Sequence, residues 1–231
     1  MTTRGPVTSA RRRVHDAIRL EILEVAQRRM AADGAAAVSL REVARELEMA
    51  PSAIYRYFAS RDELLTALIV EGYNAVGQVA EEASAVGGSP ERRLRVVGRA
   101  VRGWALEHPH EYALLFGTPV PGYRAPELTV DPASRVALVL AGIVSDAYRA
   151  GLVRLPTGPL PKPVAAEARR LGALTMPGVP PAVVARGLVV WPMLFGQISF
   201  EVFGRLATVV EDVEAMFEYA LTTMVELLGL G

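Results

Sequence analysis

Cysteine is absent from the 231 residues, which excludes disulfides, thiolate metal sites and a cysteine nucleophile. Lysine is nearly absent too: Lys162 stands alone among 25 basic residues. Together with the abundance of Ala, Val and Gly, that arginine bias reads as the codon usage of a GC-rich genome and not as chemistry. No long apolar run is present. The longest, Gly187 to Gly196, is too short to span a bilayer and contains Pro192. The opening MTTRGPVTSARRR is polar and basic with no apolar run behind it, so no secretory signal is read there. A cytoplasmic protein with no membrane partner is expected. There is no internal repeat and no strand alternation, which predicts an all-α chain. Nor is there a GxSxG elbow, a GxxxxGK phosphate loop or an HExxH pair, and Ser, His and Asp occur without a triad-like spacing. No enzyme activity, cofactor or metal site is therefore expected.

What is present is an uneven distribution of charge. The chain balances 25 basic against 25 acidic residues, but Met1 to Arg61 holds eleven arginines against seven acids, and Gly187 to Gly231 holds one arginine against six acids. The N-terminal end is the one suited to meet a polyanion, although an excess of four is modest for a nucleic-acid binder.

The informative stretch is Ser39 to Leu64, SLREVARELEMAPSAIYRYFASRDEL. Ser39 can cap a helix while Glu42 reaches back, and Leu40, Val43, Ala44 and Leu47 recur at the helical period. After the break at Glu48, Met49 and Ala50, Pro51 fits a first helical position, and Ile54 with Phe58 forms the buried stripe of a second short helix. Ser52, Ala53, Tyr55, Arg56 and Tyr57 are left facing out. A short helix whose free face carries a hydroxyl, two phenols and a guanidinium suits the recognition helix of a helix-turn-helix. Ser60 and Glu63 make a second capping box at the start of a long helix running to about Ala85.

These residues resemble the N-terminal DNA-binding domain of TetR-type transcriptional regulators: Val38, Ser39, Glu42, Val43, Ala44, then Ile54, Tyr55, Tyr57, Phe58, Ser60, Arg61, Glu63 and Leu64, over roughly residues 14 to 70. Three departures stand out. Family members usually have Gly where this chain has Glu48, at a helix end that needs a left-handed residue, which costs ~1 kcal/mol for a non-glycine. The usual Ser or Thr opening the recognition helix is Ala50, forfeiting a cap worth ~1 kcal/mol. Tyr57 and Arg61 replace the common His and Lys and can still donate to phosphate. The resemblance implies Ser52, Ala53, Tyr55 and Arg56 at base edges, with Ser39, Tyr57 and Arg61 on phosphates.

Around this stretch, residues 1–13 are expected to be a disordered basic arm, in which Arg11, Arg12 and Arg13 either reach DNA or form a solvated tail. A helix-turn-helix domain is expected over 14–60 and a helical ligand-binding and dimerisation domain over 61–231. Ser89, Pro90 and Glu91 start a helix on which Arg92, Arg95, Arg99 and Arg102 line one face, either solvated or selecting an acidic effector. His108, His110 and Glu111 do not share one helical face, so a metal is not expected there. The segment Trp104 to Gly117 resembles the WHG-type ligand domain of one branch of TetR-type regulators. That resemblance, with the apolar helix near Ala182 to Phe203, implies an effector cavity among Trp104, His108, Tyr112, Phe116, Trp191, Phe195 and Gln197. Thr208 and Glu211 suggest a third capping box before a final amphipathic helix. In this family the last two helices form the dimer interface. The expectation is a homodimeric repressor of a pseudo-palindromic double-stranded DNA operator, released by a small hydrophobic effector. The alternative is a constitutive DNA-binding dimer with no effector pocket.

Overall fold

The computed structural model of the chain describes residues 6–230, and among them there is no strand. In chain order α1 (Pro6–Asp33) and α2 (Leu40–Glu46) are joined by a 3-10 turn at Ala35–Ala37, and another, Ile54–Arg56, precedes α3 (Arg61–Ala85). Then come α4 (Pro90–Glu107), α5 (Pro109–Phe116), a 3-10 turn at Glu127–Thr129, α6 (Val130–Arg149), α7 (Lys162–Thr175), α8 (Pro181–Val202) and α9 (Val213–Leu228). Two compact units result. Among the described residues, one takes the chain from Pro6 to Gly72 together with His110–Val130, and the other takes Tyr73–Pro109 and Asp131 to Leu230. The division falls inside α3 and not at residue 61, and α5 is grouped with the first unit.

The core of the first unit is built from α1, α2 and the start of α3. Ile22, Val25, Ala26 and Met30 of α1 meet Leu40, Val43 and Ala44 of α2, Ile54 and Phe58 of the following segment, and Leu64, Leu65 and Leu68 of α3. Leu114, Val120 and Tyr123 pack against this cluster from the α5 segment. Helix α1 begins at Pro6, so the disordered arm expected over 1–13 is corrected from residue 6 onward. Proline needs no helical N–H partner in a first turn and its fixed φ suits one. Arg11, Arg12 and Arg13 are exposed positions on this helix. The expectation for residues 1–5 lies outside the described residues.

The second unit packs α4 against α8 and α9, with α6 and α7 alongside. Ser89 caps α4 as expected, accepting from the Arg92 amide at 3.2 Å, with Pro90 in the first turn. Gly98 lets α4 and α9 approach closely, since a Cβ there would sit 2.6 Å from Leu221 Cδ2. The arginine row on α4 is partly solvated, with Arg92 and Arg99 exposed, and it is engaged by acids of the same unit. Arg99 donates twice to Glu218 of α9, at 2.6 and 2.7 Å. Arg102 donates twice to Glu201 of α8, both at 2.7 Å, contacts Glu214 of α9 and lies over the Phe217 ring at 4.8 Å. Arg95 reaches Glu91 and Thr222, and Arg92 donates to the Gly87 carbonyl. The planar guanidinium fork matches a carboxylate bidentately, and acids on two neighbouring helices turn the row into a clamp. The Arg102–Glu201 pair is well shielded, its side chains 12% and 14% exposed, and Glu201 holds the guanidinium above its ordinary range.

The third capping box is not formed. Helix α9 starts at Val213, and the Asp212 carboxylate caps it by accepting from the Ala215 amide at 2.8 Å. Helix α8 runs continuously through Pro192 and is buried on one side only, by Val183, Val184, Leu194 and Ile198. Its other side leaves Phe200 half exposed, and α9 leaves Tyr219 68% exposed. Both α8 and the run Glu127–Arg149 are long and apolar enough to cross a membrane by length and composition. Each also buries part of its surface inside a unit core, which is how a core helix meets the same criterion.

Two expectations follow. The Arg99 guanidinium beside Glu218 holds its carboxyl below the ordinary value of 4.5. A depressed carboxyl stabilises the fold at pH above 4.5, and that contribution is lost as pH falls through the lowered value. Acid titration of the parent should therefore show stability declining below that range, and Glu218→Gln should flatten the decline; an identical acid limb would remove the clamp from the stability of the fold. Secondly, Glu48→Gly should raise the unfolding free energy by up to about 1 kcal/mol, because Glu48 holds φ at +52°. A drop in Tm for this variant would show that the side chain does something the backbone geometry does not reveal.

Candidate nucleic-acid interface

Helix α2 ends in a Schellman turn. The Met49 amide donates to Ala44 O at 2.9 Å and the Glu48 amide to Arg45 O at 3.2 Å, a pattern that puts a left-handed residue at Glu48. The departure from glycine noted in the sequence thus falls where the geometry demands one. Among the described residues Glu48 is the one non-glycine with positive φ. Met49 tucks against the core beneath and helps to hold the turn.

The next segment is tighter than the short helix expected there. Ala53 N–H bonds Ala50 O, Arg56 N–H bonds Ala53 O and Tyr57 N–H bonds Ile54 O, so consecutive turns culminate in the 3-10 turn Ile54–Arg56. Ala50 offers no side-chain cap and Pro51 no N–H, which leaves few helical bonds for so short a stretch to close. The burial pattern nevertheless follows the sequence: Ile54 and Phe58 are fully buried, while Ser52, Tyr55 and Arg56 face solvent and Ala53 and Tyr57 are half-buried. Tyr55 is 47% exposed, which leaves its ring available to a ligand.

Arg19, which carries no signal in the sequence, fixes this segment from α1. Its guanidinium lies over the Phe58 ring at 4.0 Å, Nη1 donates to Tyr57 O at 2.8 Å, and Glu63 stands 3.8 Å away. Its helical neighbour His15 packs its ring against Tyr57 with centroids 4.9 Å apart. The capping at the start of α3 is close to expectation. Glu63 N–H donates to Ser60 Oγ, and the Glu63 carboxylate accepts from the Ala59 amide in place of the Ser60 amide.

Two expected phosphate contacts look different in three dimensions. Ser39 sits at the N-cap of α2 without bonding through its side chain, so the first capping box is not formed. Glu42 instead pairs with Arg29 at 3.2 Å and with Arg45. Arg61 is drawn inward: Nε donates to Val38 O at 2.9 Å and Nη2 to Ala35 O and Ala36 O at 3.2 and 3.1 Å. It thereby ties the α1–α2 connection to α3. Arg28 and Arg29 meet Glu46, whose carboxyl the Arg28 hydrogen bond holds low. Among the described residues of α1, α2 and the turn before α3, what stays open as positive charge is Arg41 in the first turn of α2, Arg56, and Arg11 to Arg13 on α1, all exposed.

Residues 22–68 match the family of bacterial regulatory proteins named for tetR, and residues 94–224 match the tetracyclin repressor-like C-terminal domain. The second match spans more than half of the chain. This chain belongs to the TetR family. A relative, the HTH-type transcriptional regulator Rv1816 of Mycobacterium tuberculosis, is 36% identical over 227 residues, 95% of either chain. The HTH-type transcriptional regulator Mb1846 of Mycobacterium bovis matches to the same extent. Among solved structures, the regulatory protein SCO4313 superposes with a TM-score of 0.75 at 32% identity, covering 93% of this chain and 98% of its own. A tetR-family regulator from Rhodococcus RHA1 shares the fold at 17% identity, with a TM-score of 0.65 over 92% of this chain and 97% of its own. The protein is a DNA-binding transcriptional regulator of this family.

The second unit of this TetR-family chain holds a cavity of about 520 Å³ walled by α4, α6, α7, α8 and the end of α9. Its lining is mostly apolar and includes Leu94, Leu138, Val144, Leu171, Leu188 and Trp191. Of the seven expected effector residues, Trp191 is the one in this lining. Trp104 stacks on His108 at 5.4 Å in the same unit, and Phe195 and Gln197 are half-buried on α8. Tyr112, fully buried, and Phe116 pack ring to ring at 4.8 Å in the first unit. The lining of α6 and α7 has no aromatic signature in the sequence. Its signal is instead the small-and-aliphatic stripe Ser134, Ala137, Leu138, Ala141 and Val144 at helical spacing.

Arg61→Met should lower the stability of the protein by about 1 to 3 kcal/mol in urea unfolding, since three carbonyls, two of them in part-buried bonds, lose a charged donor. Unchanged stability with the salt dependence of DNA binding reduced by about one would instead make Arg61 a phosphate contact.

Proposed function

We propose that this regulator acts in the cytoplasm as a homodimeric repressor that reads a pseudo-palindromic operator and is released by a small hydrophobic effector. The observation that carries the reading of DNA is the exposed set Ser52, Tyr55 and Arg56 on a turn pinned from behind by Ile54, Phe58 and Arg19. Arg56 has the bidentate geometry to read guanine, and Ser52, Ala53 and Tyr55 lie beside it for base edges or a thymine methyl. Ser39 and Tyr57 would flank the phosphates, joined by Arg41, whose guanidinium is exposed where that of Arg61 is engaged. Arg11 to Arg13 add positive charge on the exposed face of α1.

Dimerisation is supported by the outer faces of α8 and α9, where Phe200, Met216, Tyr219 and Leu227 remain exposed. An apolar face of that kind on a soluble chain marks an interaction surface. Release by an effector is supported by the 520 Å³ cavity, within the size range that takes a drug-sized molecule. Occupying it would favour a dimer whose recognition segments no longer match successive major grooves.

The test is operator binding by fluorescence anisotropy on DNA from beside the gene, with protein first shown to protect a palindrome. Arg56→Ala should cost about 1 to 3 kcal/mol and relax specificity at one base step. Parent-like affinity and specificity for that variant would refute the assignment of the reading residue. In the same titration, apolar compounds that quench tryptophan fluorescence should weaken operator binding. A folded, DNA-competent dimer that no such compound affects would leave the constitutive dimer as the function.

A further inference from the structure

The chemistry at the mouth of the cavity points to a class of ligand. The polar side chains in the lining are Asp131, Ser134 and Thr175, and no basic or amide side chain lines it among the described residues. Thr175 donates its hydroxyl to Leu171 O at 2.9 Å, within its own helix. Asp131 is the one charge there. It stands exposed in the first turn of α6 while the apolar wall continues inward.

Its natural counter-ion is otherwise engaged. Arg135 lies four residues on, the spacing at which an aspartate and an arginine pair along a helix. Arg135 instead donates to both carboxylate oxygens of Glu81 on α3, at 2.8 and 2.7 Å, and to Asn74 O and Oδ1, each at 2.9 Å. A bidentate pair of that geometry outcompetes a single i,i+4 contact. The cavity mouth is left with a negative charge, an apolar interior and the aromatic face of Trp191 in the same lining.

We infer that the cavity selects lipophilic cations, with an ammonium or similar head at Asp131 and the apolar body inside, and discriminates against carboxylates of the same shape. A positive head gains from Asp131, whereas a negative head is repelled by that carboxylate, whose charge the start of α6 offsets only in part. This rests on the reading of the cavity as a ligand site.

The test compares three probes of one chain length on the full chain: dodecyltrimethylammonium, dodecanol and dodecanoate, each below its micelle concentration, with binding followed by tryptophan fluorescence. The ammonium should bind about tenfold tighter than the carboxylate, with the alcohol between. Asp131→Asn should compress that ratio to about twofold and leave dodecanol unchanged, and Ala141→Phe, which fills the cavity, should weaken all three. Carboxylate binding as tight as the ammonium, a ratio that survives Asp131→Asn, or no binding by any probe would each overturn the inference. Operator anisotropy in the same titrations separates it from the effector reading. Ammonium-selective binding without release from DNA would sink the effector reading and leave the selectivity standing. Release by dodecanoate alone would do the reverse.

Discussion

The segment from Ala50 to Phe58 cannot hold its own shape, and much of the first unit follows from that. A stretch with one three-residue 3-10 turn has too few backbone bonds to be stable alone, so its position comes from what it buries. Ile54 and Phe58 insert fully into the cluster formed by α1, α2 and α3, at a gain of about 1.5 to 3 kcal/mol each relative to exposure. Arg19 adds a cation over Phe58 and a hydrogen bond to Tyr57 O, which fixes the rotation of the segment about its own axis. Arg61 does the same for the connection ahead of α2, through three carbonyls. Exposed Ser52, Tyr55 and Arg56 are thus presented by buried neighbours and by arginines that point inward.

The second unit solves a related problem with charge. Helix α4 meets α8 and α9 at Gly98, where the Leu221 side chain takes the space a Cβ would fill, and the arginine row beside that contact pairs with Glu201, Glu214 and Glu218. Arginine suits this because its charge is fixed and its fork reaches two oxygens at once. The acids that make the C-terminal end of the chain negative are therefore partly internal counter-ions. Net charge by segment overstates how acidic the surface of that region is.

Much of this was legible in the sequence and some was not, for identifiable reasons. The stripe of Ile54 and Phe58, the need for a left-handed residue at Glu48, the Ser89–Pro90 start of α4 and the start of α3 at Arg61 all follow from local chemistry that tertiary context left intact. The capping box at Ser39 is not formed, and Glu42 instead meets Arg45 three positions on and Arg29 thirteen positions back, the second a partner that no local rule weighs. The box at Thr208 lost to Asp212, a better acceptor closer to where α9 begins. The acids that Arg99 and Arg102 meet on α8 and α9 were not legible, because a helix pattern shows which residues share a face but not what stands opposite. Large aromatics marked the effector residues expected from the sequence, but the cavity is lined chiefly by small and aliphatic residues of α6 and α7, whose role appears only when the helices are assembled. Arg19 is the same case in the first unit, an arginine on an amphipathic helix whose importance depends on a ring nearly forty residues away.

The left-handed Glu48 has a kinetic side. Strain of about 1 kcal/mol at one turn lowers the free energy of opening that turn locally by a similar amount, so it opens about fivefold more often than a glycine turn would. Each opening breaks the two hydrogen bonds that close α2, Met49 N–H to Ala44 O and Glu48 N–H to Arg45 O. The Arg19 contacts to Phe58 and Tyr57 O lie beyond that turn and hold the following segment to α1.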